Sequence, residues 1–320
     1  MPATRLAVLD FARGLAVVTM AIYHLSWDLS WFSFVDWPVT HGLGWRIFAA
    51  SIASSFLFLS GIGLDLSHHK GIRWRAFWRR FAVIALAAAA VSLVTYFAFG
   101  NQFVRFGILH SIALSSLVVL PFARLPVWSS VLAAVFFLTL PLWASSHEFD
   151  GQIWLWTGLG TPDYGSVDYV PLAPWAGATF AGLATSRAFR ALSIWERLSA
   201  ILLSDPLGRF TRLLGRHSLP IYLLHQPVLF GLVWLAVQLG PDIDRAGIAF
   251  VRNCTQSCQA TGGTPEICEA ACSCTLNHLK SDRVWTALTE DPGNQSLRSQ
   301  MNNRYALCLA EPQSKPAQLN

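Results

Sequence analysis

Charge is scarce in this chain. Lys, Arg, Asp and Glu together make up 13% of its 320 residues, about half the share usual in a soluble globular domain. With 53% hydrophobic residues and a mean hydropathy of +0.43, that shortage excludes a water-soluble globular protein and marks an integral membrane protein. Cysteine is missing from the first 253 residues; all six fall between Cys254 and Cys308, which points to a second, separate unit there. Two stretches, residues 34–45 and 145–170, hold no Lys or Arg. Residues 1–240 contain no zinc-ligand spacing, no phosphate-binding loop and no nucleophile elbow, and the chain shows no internal repeat. The N-terminus shows no convincing signal cleavage site, so its apolar run reads as a retained helix. The formal net charge of +5 is uneven: residues 1–240 hold 16 Lys+Arg against 10 Asp+Glu, and residues 241–320 hold 7 against 8. The basic excess belongs to the membrane part and calls for no nucleic-acid partner.

What is present is a series of apolar runs. A window of about 20 residues draws seven spans, roughly 11–33, 46–66, 81–99, 106–123, 127–144, 171–189 and 218–240. The fourth and fifth are the shortest, and a re-entrant arrangement is open there. The expected fold is an all-α polytopic membrane helix bundle of about seven transmembrane helices (residues 1–240) with a small Cys-rich helical tail (residues 241–320). The 14 Trp suit interfacial belts. Lys70, Arg73, Arg75, Arg79 and Arg80 follow the second span, Arg124 the fourth, and Arg187, Arg190, Arg197, Arg209, Arg212 and Arg216 the sixth. The basic-free loop 145–170 carries Glu148, Asp150, Asp163 and Asp168. The positive-inside rule then puts the N-terminus in the cytoplasm and, after seven spans, the tail in the periplasm of a bacterial inner membrane. Residues 191–204 are amphipathic and too short to span, which suggests a helix lying along the inner interface.

In the tail, two Cys-x3-Cys pairs place Cys254 with Cys258, and Cys268 with Cys272, each on one helix face. Gly262 and Gly263 break the first helix, and Thr264 followed by Pro265 resembles an N-cap and N1 pair. An antiparallel hairpin would join Cys254 to Cys272 and Cys258 to Cys268, leaving Cys274 with Cys308. Six cysteines allow 15 connectivities, and a metal site or free thiols is the alternative. The outside location of the tail favours disulfides.

The first span carries ionisable groups that cost a few kcal/mol each at membrane depth: Asp10, Arg13, His24 and Asp28. Arg13 and His24 lie about 16 Å apart along a helix axis, which puts Arg13 near one face and His24 well inside. His24 is the candidate general base, because His most often takes a proton at neutral pH. A polar residue bonding another helix is the alternative. Asp28, one turn on, would orient His24 or sit as an interfacial carboxylate. Arg13 pairs with Asp10 or meets a ligand phosphate. His110 and His225 either line the cavity or link helices. Asp168 and Tyr169 open the sixth span as candidates for binding a polar acceptor, or as a helix cap.

Four stretches, RLAVLDFARGLAVVTMAIYHLSWDLSWF, RFGILHSIALSSLVVL, DYVPLAPWAGATFAGL and LGRHSLPIYLLHQPVLFGL, resemble, in this order, the heparan-alpha-glucosaminide N-acetyltransferase-like membrane proteins in their short bacterial form. The likeness covers most of residues 1–235 and leaves out the Cys-rich tail. The Arg13-x10-His24 spacing is also similar to the arginine–histidine signature of bacterial acyltransferase-3 enzymes. The resemblance implies an acyltransferase that moves an acetyl or related group from cytoplasmic acyl-CoA, with acetyl-CoA as donor and no metal, to a sugar or other envelope acceptor. A direct transfer and a covalent acyl-histidine are both open. The rival reading is a proton-coupled transporter or flippase using the same buried charges as a relay; transporters more often show inverted repeats.

Overall fold

The computed structural model describes residues 6–40, 42–161, 166–240 and 244–310; Asp163 lies outside them. Among the described residues there are thirteen α-helices and no strand beyond one isolated bridge, Phe106 with Tyr169. The protein is an all-α, multi-span membrane bundle with a small Cys-rich helical part. Hydrocarbon offers no hydrogen-bond partner to the backbone, so an apolar segment satisfies its own N–H and C=O groups as a helix.

The helices are α1 (Ala7–Trp31), α2 (Leu43–His68), α3 (Trp74–Phe99), α4 (Ile108–Val119), α5 (Val127–Ala144), α6 (Leu172–Ala191), α7 (Ile194–Ser199), α8 (Pro206–Arg216), α9 (Ser218–Leu239), α10 (Arg245–Ala260), α11 (Pro265–Ser281), α12 (Val284–Glu290) and α13 (Gln295–Ala310). Five of them are long and apolar enough to cross a membrane: α1, α2, α3 with its extension to Gln102, α5 and α9. Two of the seven expected spans depart from this. The fourth yields only the 12-residue α4, about 18 Å long against the ~30 Å hydrocarbon core. Pro121 lies where the α-helix tightens into a 3-10 turn over Leu120–Ala123. The sixth, α6, has 20 residues, but Gly177, Thr179, Gly182 and Ser186 dilute its apolar character.

Those small residues make α6 the hub of the bundle. A Cβ on Gly61 of α2 would run into the Thr179 carbonyl oxygen, and one on Gly182 into the Phe58 carbonyl oxygen. On the other side, Gly177 faces the Leu138 side chain of α5. Within a bilayer, close van der Waals approach of this kind holds helices together where the hydrophobic effect does not. The core around α6 joins Leu64, Phe77, Val119, Ala134, Phe180 and Leu183. Phe180 stacks on Phe137 and meets Phe122 edge-on, with centroids 5.5 and 4.8 Å away.

The amphipathic stretch 191–204 does not form one interfacial helix. Only α7 is helical there, and the next helix opens after Asp205, whose carboxylate accepts the Gly208 N–H at 2.9 Å. Asp205 followed by Pro206 is an N-cap and N1 pair that starts a new helix, α8, and α8 is the amphipathic element. Glycines again set its seat: a Cβ on Gly215 would meet the Asp10 carbonyl oxygen, and one on Gly14 the Thr211 carbonyl oxygen. Arg105, between α3 and α4, is a single arginine in a connection that the loop rule assigns to the outer side.

The chain divides into two compact units, one of residues 1–27 and 38–231, the other of residues 28–37 and 232–320, so the division falls inside α9. In the second unit α10 and α11 form a hairpin. Disulfides join Cys254 to Cys272 and Cys258 to Cys268 within it, and Cys274 to Cys308 ties α13 on. Asp244 caps α10 by accepting the Gly247 N–H at 2.8 Å and pairs with Lys280 of α11 at 2.5 Å. Thr264 accepts the Ile267 N–H to open α11, with Pro265 at its first position. A Cβ on Gly263 would collide with the sulfurs of Cys258 and Cys268, so this turn needs a residue without a side chain. His278 has a ring nitrogen within 4.8 Å of the Cys274 and Cys308 sulfurs; bonded to each other, those sulfurs are not thiolate ligands.

Candidate active site

In the first unit α1 carries two polar layers. At its start the buried Asp10 pairs with two arginines: Arg216 Nε donates to Oδ2 at 3.1 Å, and Arg13 Nη1 forms an ion pair with Oδ1 at 3.7 Å. A buried carboxylate persists when it is paired, and the first turn of a helix favours negative charge. Arg13 therefore has its structural partner, yet it reaches further. A Cβ on Gly63 of α2 would lie 3.2 Å from Arg13 Nη2 and 3.8 Å from Arg80 Nη1, so two guanidinium groups meet over one glycine. Two such forks side by side suit an anion. Hydropathy places Arg80 merely in a basic loop; only the structure brings its guanidinium near Arg13, over Gly63.

The second layer is His24. Its ring touches Tyr23 edge-on at 5.6 Å and His225 of α9 at 4.7 Å, with 66° between the two imidazole planes. His225 Nδ1 donates to the Tyr222 carbonyl oxygen at 2.7 Å. Two of the candidate histidines, 201 positions apart in sequence (225 less 24), are thus brought together. Asp28 is fully buried one turn along α1 and belongs to the second unit.

His110 is a different kind of histidine. Its Nδ1 accepts the Gly107 N–H at 3.2 Å, so Nε2 carries the proton and faces Ser92 Oγ at 3.3 Å. Ser92 in turn donates to the Val104 carbonyl oxygen at 2.6 Å. Both ring nitrogens are occupied, and the residue ties α4 to α3 while forming one wall of a cavity of about 470 Å³ with Phe81, Ala88, Phe106, Ala113 and Trp156. Asp168 caps α4 from a distance of sixty positions: Oδ2 accepts the Ile108 N–H at 3.0 Å. Burial lifts its carboxyl to about 6, against the pull of hydrogen bonds from the Ile108 N–H and the Tyr222 hydroxyl. Tyr169 donates its hydroxyl to the Leu155 carbonyl oxygen at 2.8 Å, and its backbone bridges Phe106.

Two polar residues emerge only from the structure. Tyr222 joins Asp168 to the histidine pair; its signal in the sequence is the three-residue spacing to His225, which puts both on one face of α9. Asp65 is fully buried in α2, bonded by Ser186 Oγ and Arg190 Nη2, each at 2.7 Å. A carboxylate inside a 26-residue apolar helix was its only mark.

No curated protein and no solved structure matches the chain. A family model described as heparan-alpha-glucosaminide N-acetyltransferase, catalytic, matches residues 5–227. That range takes in both layers of α1, the α2–α6 hub, Asp168 and the Tyr222–His225 turn, and it stops short of the disulfide-bonded tail. With more than two thirds of its length matched, the chain belongs to the heparan-alpha-glucosaminide N-acetyltransferase catalytic family, and its function is of the membrane acetyltransferase type.

Proposed function

We propose that the protein moves an acetyl or similar acyl group from cytoplasmic acyl-CoA, acetyl-CoA above all, to a sugar or other envelope acceptor. The observation that carries this reading is the imidazole pair His24–His225 inside a helix bundle of an acetyltransferase family. In the proposed step His24 takes the proton from the acceptor hydroxyl or amine, whose oxygen or nitrogen attacks the thioester carbonyl. The carbon–sulfur bond breaks and the CoA sulfur leaves with the proton that His24 returns. Asp28 would stabilise the imidazolium while it lasts. Arg13 and Arg80 suit the phosphates of CoA, and Asp168 and Tyr169 are the proposed contacts of a polar acceptor.

The test is transfer from radiolabelled acetyl-CoA by the purified protein in nanodiscs, offered an envelope glycan extract. Label is expected in acceptor material and not in the protein after denaturation; label held on histidine would replace direct transfer by an acyl-enzyme. No transfer, together with substrate movement across sealed vesicles, would replace the enzyme by a transporter.

The orientation belongs to the same proposal: a bacterial inner-membrane protein with its N-terminus in the cytoplasm and residues 241–320 as a periplasmic domain. Seven crossings, or the five long apolar helices alone, are odd in number and would put the two ends on opposite sides; six would not. Reporter fusions after Arg80 and after Ala310 are expected to report cytoplasm and periplasm respectively. The same side for both would break this topology.

A further inference from the structure

The hydrogen bond from His225 to Tyr222 decides the tautomer of His225. A carbonyl oxygen only accepts, so Nδ1 must carry the proton, and in the neutral ring Nε2 is then the nitrogen with the lone pair. Nε2 is buried and has no hydrogen-bond partner among the described residues. A buried acceptor without a donor demands an explanation. The other imidazole, His24, lies against the same ring at 4.7 Å, and its other ring neighbour is Tyr23.

We propose that His225 is the positioning residue of His24, its Nε2 accepting an N–H of His24 and so leaving the second nitrogen of His24 free to act as the base. This deepens the acyl-transfer reading and rests on it. The arrangement does for His24 what an orienting acceptor does in any catalytic pair: it selects the tautomer and fixes the ring. When His24 takes the acceptor's proton, its opposite N–H already points at His225 Nε2, which holds the cation without taking the proton. The proton then passes to the CoA sulfur, and both rings return to their starting tautomers. Hydrogen bonds of this kind are often loose before substrate binds, which fits rings in contact but not yet bonded.

Side-chain chemistry gives a sharp test. The Gln amide oxygen reaches about where His Nε2 sits and accepts; the shorter Asn amide reaches only about where Nδ1 sits; Phe keeps the ring and no acceptor. In the full chain in nanodiscs, His225→Phe and His225→Asn are expected to lower kcat for acetyl transfer about 30-fold to 100-fold, the range a misplaced catalytic group costs, with the KM for acetyl-CoA within about twofold. His225→Gln is expected to regain most of that loss. A merely structural role would not separate Gln from Asn. Gln as slow as Phe, or all three at the wild-type kcat, would overturn the proposal. Ring-15N-histidine NMR supplies a readout that needs no turnover: His225 must show a protonated Nδ1 and an unprotonated Nε2 whose signal moves in His24→Ala. A protonated Nε2, or a signal indifferent to His24, would overturn the pairing even if transfer is seen. Wild-type protein without any transfer would instead overturn the acyl-transfer reading, and the spectra would still decide the pair.

Discussion

Replacing His24 by alanine is expected to lower acyl transfer by about 10²–10⁴-fold, the loss typical of a missing general base, while expression and membrane insertion stay intact. The structure gives a reason to expect folding to survive. His24 meets its neighbours through ring contacts with Tyr23 and His225, so among the described residues the substitution removes packing but breaks no formed hydrogen bond. The contrast is His110, whose removal would strand the Gly107 N–H and take away the N–H that faces Ser92 Oγ, although Ser92 keeps its own bond to the Val104 carbonyl. Asp28→Asn is expected to cost less than His24→Ala, because the amide keeps the shape and part of the hydrogen bonding. Initial rates at saturating acetyl-CoA, with size-exclusion profiles of each variant, measure both. Near-normal rates in His24→Ala and Asp28→Asn would move the base elsewhere, and an aggregated His24→Ala would make the residue structural.

The second large effect is expected in the tail. The three disulfides close loops of 18, 10 and 34 residues, and constraining the unfolded chain over such loops contributes about 3 kcal/mol each. This unit is small. Its four helices are short, and Cys268 and Cys272 sit fully buried where a larger protein would place a core. Below a certain size a hydrophobic core alone does not hold a fold, and cross-links take over. Substituting both Cys254 and Cys272 by serine is therefore expected to make the tail about 100-fold more susceptible to protease, and full reduction should do more. The membrane helices should remain protected in the same sample. Equal cleavage rates in oxidised and reduced protein would show that packing, not cross-linking, holds the tail. Gly263→Ala is the finer probe, since its Cβ would displace the Cys258–Cys268 bridge without removing a sulfur.

Much of this protein is legible before any coordinates. Low charge and long apolar runs demand helices that satisfy their own backbones, because the bilayer offers no alternative. Thr264 with Pro265 marks a helix start, and Asp205 with Pro206 marks another that hydropathy windows pass over, because amphipathic and capping signals compete in the same dozen residues. Window averages also overstate α4, where Pro121 and the distant cap Asp168 set the ends. The ionisable residues of α1 stand out on cost alone, and the family likeness is carried by four stretches spread over most of residues 1–235.

The sequence by itself determined the kind of molecule, the stretches that become helices and the helical, cysteine-rich character of the tail. These follow from composition and from spacings of three or four residues, which are local rules of the helix. Only the tertiary structure decided which polar groups meet. Asp10 finds Arg216 across 206 positions and Asp65 finds Arg190 across 125, while His24 finds His225 and Arg13 finds Arg80. The physical reason is that apolarity says a helix is buried in the bilayer but not which of its faces touches which neighbour. That choice is made by small residues such as Gly14, Gly61, Gly182 and Gly215, where backbones approach too closely for any side chain and so lock the rotation of each helix.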